Sequence, residues 1–277
     1  MAEPGLDNLK VARRDRGRRQ VHLPGGVTIG GGSSFTLFAG PCSVESEAQI
    51  QAAARLAAQA GAKVLRGGAF KPRTSPYSFR GLGEEGLVLM RQAADDHQLA
   101  MVTEVLHIGQ VESVARFSDM LQVGSRNMQN FELLEAVGAT GMPVLLKRGL
   151  AATVEETLMA AEYIALAGSE DIVLCERGIR TFEPSSRNTL DLNSALRLQA
   201  LSCLPVIADP SHGTGRREMV VPMALATRVL GLDGVMVEIH PQPEAAFSDG
   251  AQSLDPVGLD ELTQKLALIP PEAVAQA

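Results

Sequence analysis

The chain has 277 residues, 45% of them hydrophobic and 21% charged, which is globular composition and excludes a disordered chain. Its net charge of −7, with no large basic face, argues against nucleic-acid binding, and no apolar run approaches the ~18 residues of a membrane span. Three widely spaced cysteines, Cys42, Cys175 and Cys203, argue against a disulfide framework and point to a reducing cytoplasm.

In chain order, the first ~20 residues are polar and carry Lys10, Arg13, Arg14, Arg16, Arg18 and Arg19; this reads as an extended lead-in. Residues 21–32 alternate apolar positions around Pro24-Gly25-Gly26, the pattern of a short hairpin. Short runs rich in Val, Ile, Leu or Phe then recur at 35–40, 62–67, 100–105, 120–125, 143–149, 171–178, 205–211 and 234–240. Helical patterns lie between them, among them 46–61, 84–97, 153–168 and 216–231. Eight strands alternating with helices indicate parallel βαβ units, and their combined length is that of a (β/α)8 TIM barrel. A doubly wound open sheet is the runner-up, but it would gather its ligand site at one switch point. The expected division is a lead-in and hairpin over 1–34 and a catalytic barrel over 35–277.

A barrel of this kind builds its site at the C-terminal ends of its strands. Here those ends carry Cys42; Arg66, then Lys71 and Arg73; Glu104; Arg126; Lys147 and Arg148; Glu176 and Arg177; Asp209 and His212; Glu238 and His240; and, in the following loop, Asp249. One such charge alone reads as a solvated loop residue. Recurrence at the same end of each unit does not.

The cations Arg66, Lys71, Arg73, Arg126, Lys147 and Arg177 need a polyanion to relieve their repulsion. Arginine grips carboxylate and phosphate with two donors and lysine with one charge, so the ligand carries several anionic groups. Two small phosphorylated substrates, or a phosphate plus a carboxylate, match. Cys42, His212, Glu238 and Asp249 form a mixed S/N/O set suited to Mn2+, Fe2+, Co2+ or Zn2+. Alone, Cys42 also reads as a small buried hydrophobe and His212 as a backbone-bonded loop histidine. Gly213-Thr214-Gly215 reads equally as a phosphate-holding helix start or a tight turn. Gly30-Gly31-Gly32 has no helix after it, so the dinucleotide fingerprint fails. His22, His97 and His107 take no role, and Cys175 and Cys203 read as core.

At this point the residues match a known family. The segments AGPCSVES (39–46), LRGGAFKPRTSPYSF (65–79), TEV (103–105), GSRNMQNFELL (124–134) and LLKRG (145–149) carry the match. LCERGIRTFE (174–183), RNTLDL (187–192), DPSHGTGRR (209–217), VEIHPQPE (237–244) and SDGAQSL (248–254) complete it. Over about residues 20–265 the chain resembles the 3-deoxy-D-arabino-heptulosonate 7-phosphate (DAHP) synthases of type I, β subgroup. The resemblance implies a TIM barrel that condenses phosphoenolpyruvate with D-erythrose 4-phosphate and releases phosphate, the first step of the shikimate pathway to aromatic amino acids. It implies a divalent metal on Cys42, His212, Glu238 and Asp249. It implies phosphoenolpyruvate on Arg66, Lys71, Gly124, Ser125, Arg126, Lys147 and Arg177, with Glu104 nearby. The erythrose phosphate would lie on Lys71, Pro72, Arg73, Thr74 and Ser75. Within that scheme Lys71 is the candidate proton donor, Glu104 orients the water, and His212 serves as ligand and proton relay.

The alternative is the related synthase of 3-deoxy-D-manno-octulosonate 8-phosphate, which uses arabinose 5-phosphate. It carries a Lys-Ala-Asn-Arg-Ser-Ser segment where this chain has Lys71-Pro72-Arg73-Thr74-Ser75, and the Pro-Arg-Thr version favours the four-carbon aldose. Family members often have Ala at the position of Ser125; a contact through the backbone N–H tolerates either. Members are commonly homo-tetramers or dimers, and a cytoplasmic homo-oligomer without nucleic-acid or membrane partners is expected. Some relatives carry an added N-terminal ferredoxin-like or chorismate-mutase domain. The lead-in has no room for one, so inhibition by phenylalanine or tyrosine through a fused domain is not expected.

Overall fold

The computed structural model describes residues 5–12, 17–32, 35–71, 77–270 and 273. Strands β1 (Gln20–Leu23) and β2 (Val27–Gly30) pair antiparallel. Their turn uses Gly25 and Gly26 at φ of 74° and 75°, where a Cβ would be strained. Eight further strands follow: β3 (Thr36–Gly40), β4 (Val64–Gly67), β5 (Ala100–Val105), β6 (Met120–Val123), β7 (Val144–Lys147), β8 (Ile172–Glu176), β9 (Val206–Ala208) and β10 (Gly234–Glu238). They close in the order β10-β3-β4-β5-β6-β7-β8-β9, each parallel to its neighbours. The open-sheet alternative is thereby excluded, and the eight strands fall on the eight apolar runs.

The helices are α1 (Glu47–Gln59), α2 (Glu84–Asp96), α3 (Val111–Phe117), α4 (Phe131–Gly138), α5 (Val154–Ala167), α6 (Leu192–Leu201), α7 (Pro210–Thr214), α8 (Arg217–Val229) and α9 (Pro256–Ala267). Their starts are written locally. Ser46 caps α1 by accepting from the Gln49 N–H, Asn130, Asp191 and Asp255 do the same for α4, α6 and α9, and Thr153 with Glu156 forms a full capping box on α5. No helix among the described residues is long and apolar enough to cross a membrane.

Strand side chains alternate between the barrel interior and the helix layer. Leu65, Met101, Leu121, Leu146, Leu174 and Val237 join the layer beneath the helices. Phe38, Val64, Val102, Met120, Leu145, Cys175, Ile207 and Met236 face inward and form one cluster with Val21, Leu23, Val27 and Ile29 of the hairpin. The hairpin thus plugs one end of the barrel. Cys175 and Cys203 are 1% exposed, as core residues are.

Candidate active site

Two residues beyond each inward apolar position the same alternation delivers the next inward side chain. Val64 leads to Arg66, Val102 to Glu104, Met120 to Gln122, Leu145 to Lys147, Cys175 to Arg177, Ile207 to Asp209 and Met236 to Glu238. The period-two register therefore turns an apolar interior into a polar layer in one step. Gly40 occupies the corresponding place on β3, where a Cβ would lie 1.8 Å from the Arg66 carbonyl oxygen. Arg66 Nη1 donates to the Pro41 carbonyl at 2.8 Å.

A cavity of about 200 Å³ opens at this end. Arg66, Lys71, Glu104, Gly124, Ser125, Arg126, Lys147, Arg177 and His212 line it, so these predicted residues are brought together. Gln122, Leu150, Arg180, Arg187 and Asn188, none of them among the residues expected from the sequence, line it too. Gly124 leaves room for the Glu104 carboxylate: a Cβ there would sit 1.9 Å from Glu104 Oε1 and push that side chain aside. Pro72, Arg73, Thr74 and Ser75 lie outside the described residues.

The cations differ in how they are held. Arg66 is buried and donates to Glu238 Oε1 at 2.9 Å, while its Nε is buried without a partner. Lys147 is paired with Asp209 Oδ2, and Lys71 Nζ donates to the Cys42 carbonyl at 2.8 Å. Arg177 is buried and, among the described residues, has only a long bond to the Gly178 carbonyl, and burial lowers its pKa. Arg126 is exposed at the cavity edge and forms no ion pair among the described residues. Arg180, which also lines the cavity, has no ion pair among the described residues either, so three guanidiniums without carboxylates face one cavity, a place for an anion with several oxygens.

Cys42, Glu238 and Asp249 do not line this cavity; they lie behind His212 and Arg66, and their ligand atoms are all within 4.8 Å of one another. Cys42 Sγ donates to Asp249 Oδ2 at 3.2 Å. His212 is set beside them by Asp209, which caps α7 through the His212 N–H and meets the ring Nδ1 at 2.7 Å. A carboxylate on Nδ1 assigns the proton to that nitrogen and leaves Nε2 as the donor atom, 3.3 Å from Glu238 Oε1. Burial, then the Glu238 charge, pushes the Cys42 thiol up to about 12. Burial alone would raise Asp249, but Arg187, His212 and other neighbours bring it down to about 2. Asp249 also holds a left-handed backbone at φ 51°, an uncommon cost for a residue without glycine's freedom. The sulfur, imidazole and carboxylate donors, gathered around concentrated negative charge, fit a borderline divalent metal.

Three strand-end residues stand elsewhere. Arg148 and Glu176 follow Lys147 and Cys175 by one position, so they point away from the barrel axis. They form a buried network in which Arg148 donates to Glu176 at 2.9 Å and Asp191 at 3.0 Å. His240 lies past the end of β10, with Nε2 3.5 Å from Glu45. Gly213 and Thr214 close α7, and Gly215 caps it at φ 69°; the turn reading of this tripeptide is the one realised.

The comparisons agree with this architecture. The model of the DAHP synthetase I family matches residues 11–268. A phospho-2-dehydro-3-deoxyheptonate aldolase from Thermotoga maritima is 51% identical over 242 residues, 87% of this chain and 71% of that protein. A 2-dehydro-3-deoxyphosphooctonate aldolase from Syntrophotalea carbinolica is 32% identical over 258 residues, 87% of this chain and 91% of that protein. The crystal structure of the Thermotoga maritima DAHP synthase superposes with a TM-score of 0.92 at 47% identity, covering 96% of this chain and 78% of that one. A truncated form of a Thermotoga maritima DAHP synthase gives 0.88 at 44% identity, covering 95% and 97%. The octulosonate relative is the more distant of the two activities, and the chain belongs to the DAHP synthetase I family, as a DAHP synthase.

Proposed function

We propose that the cavity condenses phosphoenolpyruvate with D-erythrose 4-phosphate and water and releases inorganic phosphate. The observation that carries this reading is a cavity in which Arg126 and Arg177 face His212, whose Nε2 lies 3.3 Å from Glu238 Oε1 in the adjoining thiol and carboxylate cluster. Arg126 and Arg177 hold the phosphate of phosphoenolpyruvate. Arg66 and Lys147 hold its carboxylate, assisted by the backbone N–H groups of Gly124 and Ser125.

C3 of phosphoenolpyruvate forms the new bond to the aldehyde carbon, and water adds to C2. The resulting phosphohemiketal collapses by C–O cleavage, and phosphate leaves. Glu104, fixed against Gly124, orients the water, and Lys71, which reaches the Cys42 carbonyl beside the donor cluster, delivers a proton to the new alkoxide. Positioning and fixed charge supply most of the rate. The family is metal-dependent. Cys42, His212, Glu238 and Asp249 would hold Mn2+, Co2+, Fe2+ or Zn2+, which supplies Lewis-acid polarisation of the aldehyde when bound. His212 would join that set through Nε2, its ring held by the Asp209 carboxylate at Nδ1. The erythrose phosphate extends from Lys71 onto Pro72, Arg73, Thr74 and Ser75.

The chain acts as a homo-oligomer, a dimer or tetramer. Supporting this, Phe131 and Tyr163 stack on the surface with ring centroids 4.6 Å apart, beside exposed Leu166. The three unpaired cysteines support a cytoplasmic setting. The deciding assay is phosphate release from phosphoenolpyruvate with erythrose 4-phosphate, with arabinose 5-phosphate and with no aldose. Release is expected with the first; release with arabinose 5-phosphate alone overturns the substrate assignment.

A further inference from the structure

Arg187 belongs to no strand end, yet it touches the donor cluster on two sides. Its Nη1 donates to Asp249 Oδ1 at 3.2 Å and to Gln252 Oε1 at 2.9 Å. Gln252 is 2% exposed, and its Nε2 donates to Glu238 Oε2 at 2.6 Å. The first of these amide contacts decides the second. A guanidinium can only donate, so it fixes Oε1 toward itself and turns Nε2 toward Glu238. One side chain therefore orients both carboxylates of the cluster, Asp249 directly and Glu238 through an amide.

The backbone that carries Arg187 is held against the third donor. The Arg187 N–H donates to the Thr214 carbonyl at 2.9 Å and the Asn188 N–H to the Gly213 carbonyl at 3.2 Å. Asn188 Nδ2 donates to the His212 carbonyl at 2.9 Å. A Cβ on Gly215 would come within 2.4 Å of Arg187 Cβ, so the turn after His212 and the base of the arginine are fitted to each other. The far end of the segment is tied to the end of β8, beside Arg177, by paired bonds between Ile179 and Thr189, each 2.9 Å.

We propose that Arg187, acting with Gln252, is a positioning residue that preorganises Glu238 and Asp249 for metal binding. The inference rests on the reading of Cys42, His212, Glu238 and Asp249 as the metal ligands. A positive side chain beside a cation site costs repulsion. Here it faces two carboxylates and a thiol whose combined ionised charge exceeds that of a divalent ion, so it offsets the remainder while fixing geometry. Both carboxylates keep one oxygen free of Arg187 and Gln252. Asp249 Oδ2 faces Cys42, and Glu238 Oε1 faces His212 and Arg66.

The test is a Co2+ titration of the metal-free protein, followed by the near-ultraviolet thiolate-to-cobalt band, for the unaltered chain, Arg187→Ala, Arg187→Lys, Gln252→Leu and the double variant Arg187→Ala/Gln252→Leu. Arg187→Ala is expected to weaken Co2+ about 10–100-fold, the usual effect of losing an outer-shell partner. Arg187→Lys keeps a charge on Asp249 without the fork and recovers part of the loss. The double variant should lose less than the two single losses combined, because the two residues act in one chain of contacts. At saturating Co2+ the KM for phosphoenolpyruvate stays unchanged. Co2+ affinity of Arg187→Ala and Arg187→Lys within twofold of the unaltered chain, with a raised KM for erythrose 4-phosphate, overturns the proposal and makes Arg187 a substrate contact. Absence of the band in the unaltered chain overturns the metal-site reading and this inference with it.

Discussion

The two ends of the barrel interior are built by the same rule and reach opposite results. At the hairpin end, inward side chains are Val, Leu, Ile, Phe, Met, Ala and Cys, buried against the hairpin. Two residues further along the same strands, the inward side chains are Arg, Glu, Gln, Lys and Asp. The first layer stabilises by removing apolar surface from water. The second desolvates charges, which stability alone does not favour. The apolar floor holds the mouth in place, and the charged side chains are concentrated where they add least to stability. A third region separates the two ideas. Arg148, Glu176 and Asp191 are also charged and partly or fully buried, yet they lie outside the cavity and satisfy one another.

Substitutions can break this comparison. The largest effect is expected from Cys42→Ala. Metal binding and activity should fall at least about a thousandfold, the loss of several kcal/mol of charge stabilisation, with an unchanged melting transition. Activity that survives in metal-depleted Cys42→Ala would remove the cluster from the chemistry. Arg148→Met should behave in the opposite way. It leaves Glu176 buried without its cation and should cost about 3–5 kcal/mol in denaturant unfolding, with kcat per folded molecule unchanged. A fall in kcat at full folding would place Arg148 in the active site after all. Ile29→Ala, at a position 0% exposed in the hairpin, should cost about 2–5 kcal/mol with intact kinetics. A negligible cost would show that the floor is dispensable. Arg126→Ala should raise the KM for phosphoenolpyruvate about 10–100-fold, the value of one charge-assisted contact of ~1.5–3 kcal/mol, and affect erythrose 4-phosphate less. The reverse order would exchange the two anion sites.

The strands were legible because each is a short apolar run between helical patterns, and barrel closure follows from eight of them. The mouth was legible wherever a charge directly ends such a run, as at Arg66, Glu104, Lys147 and Glu238. Side-chain parity along each strand supplies the rest. Counting in twos from Leu145 and Cys175 keeps Lys147 and Arg177 inside and sends Arg148 and Glu176 outside. Gln122 is found by the same count from Met120. Parity fails for His240, because β10 ends at Glu238. Arg180, Arg187, Asn188 and Gln252 had no comparable signal. They lie on loops whose paths are set by contacts to distant residues, such as Arg187 to Thr214 and Asp249.

The hairpin plug also governs traffic. With Val21, Leu23, Val27 and Ile29 filling the far end, the barrel is a cup with a single neck. In the proposed reaction both reactants enter and the released phosphate departs past the same guanidiniums. Free inorganic phosphate in the medium therefore meets Arg126 and Arg177 on the route by which phosphoenolpyruvate arrives, and should act as its competitor.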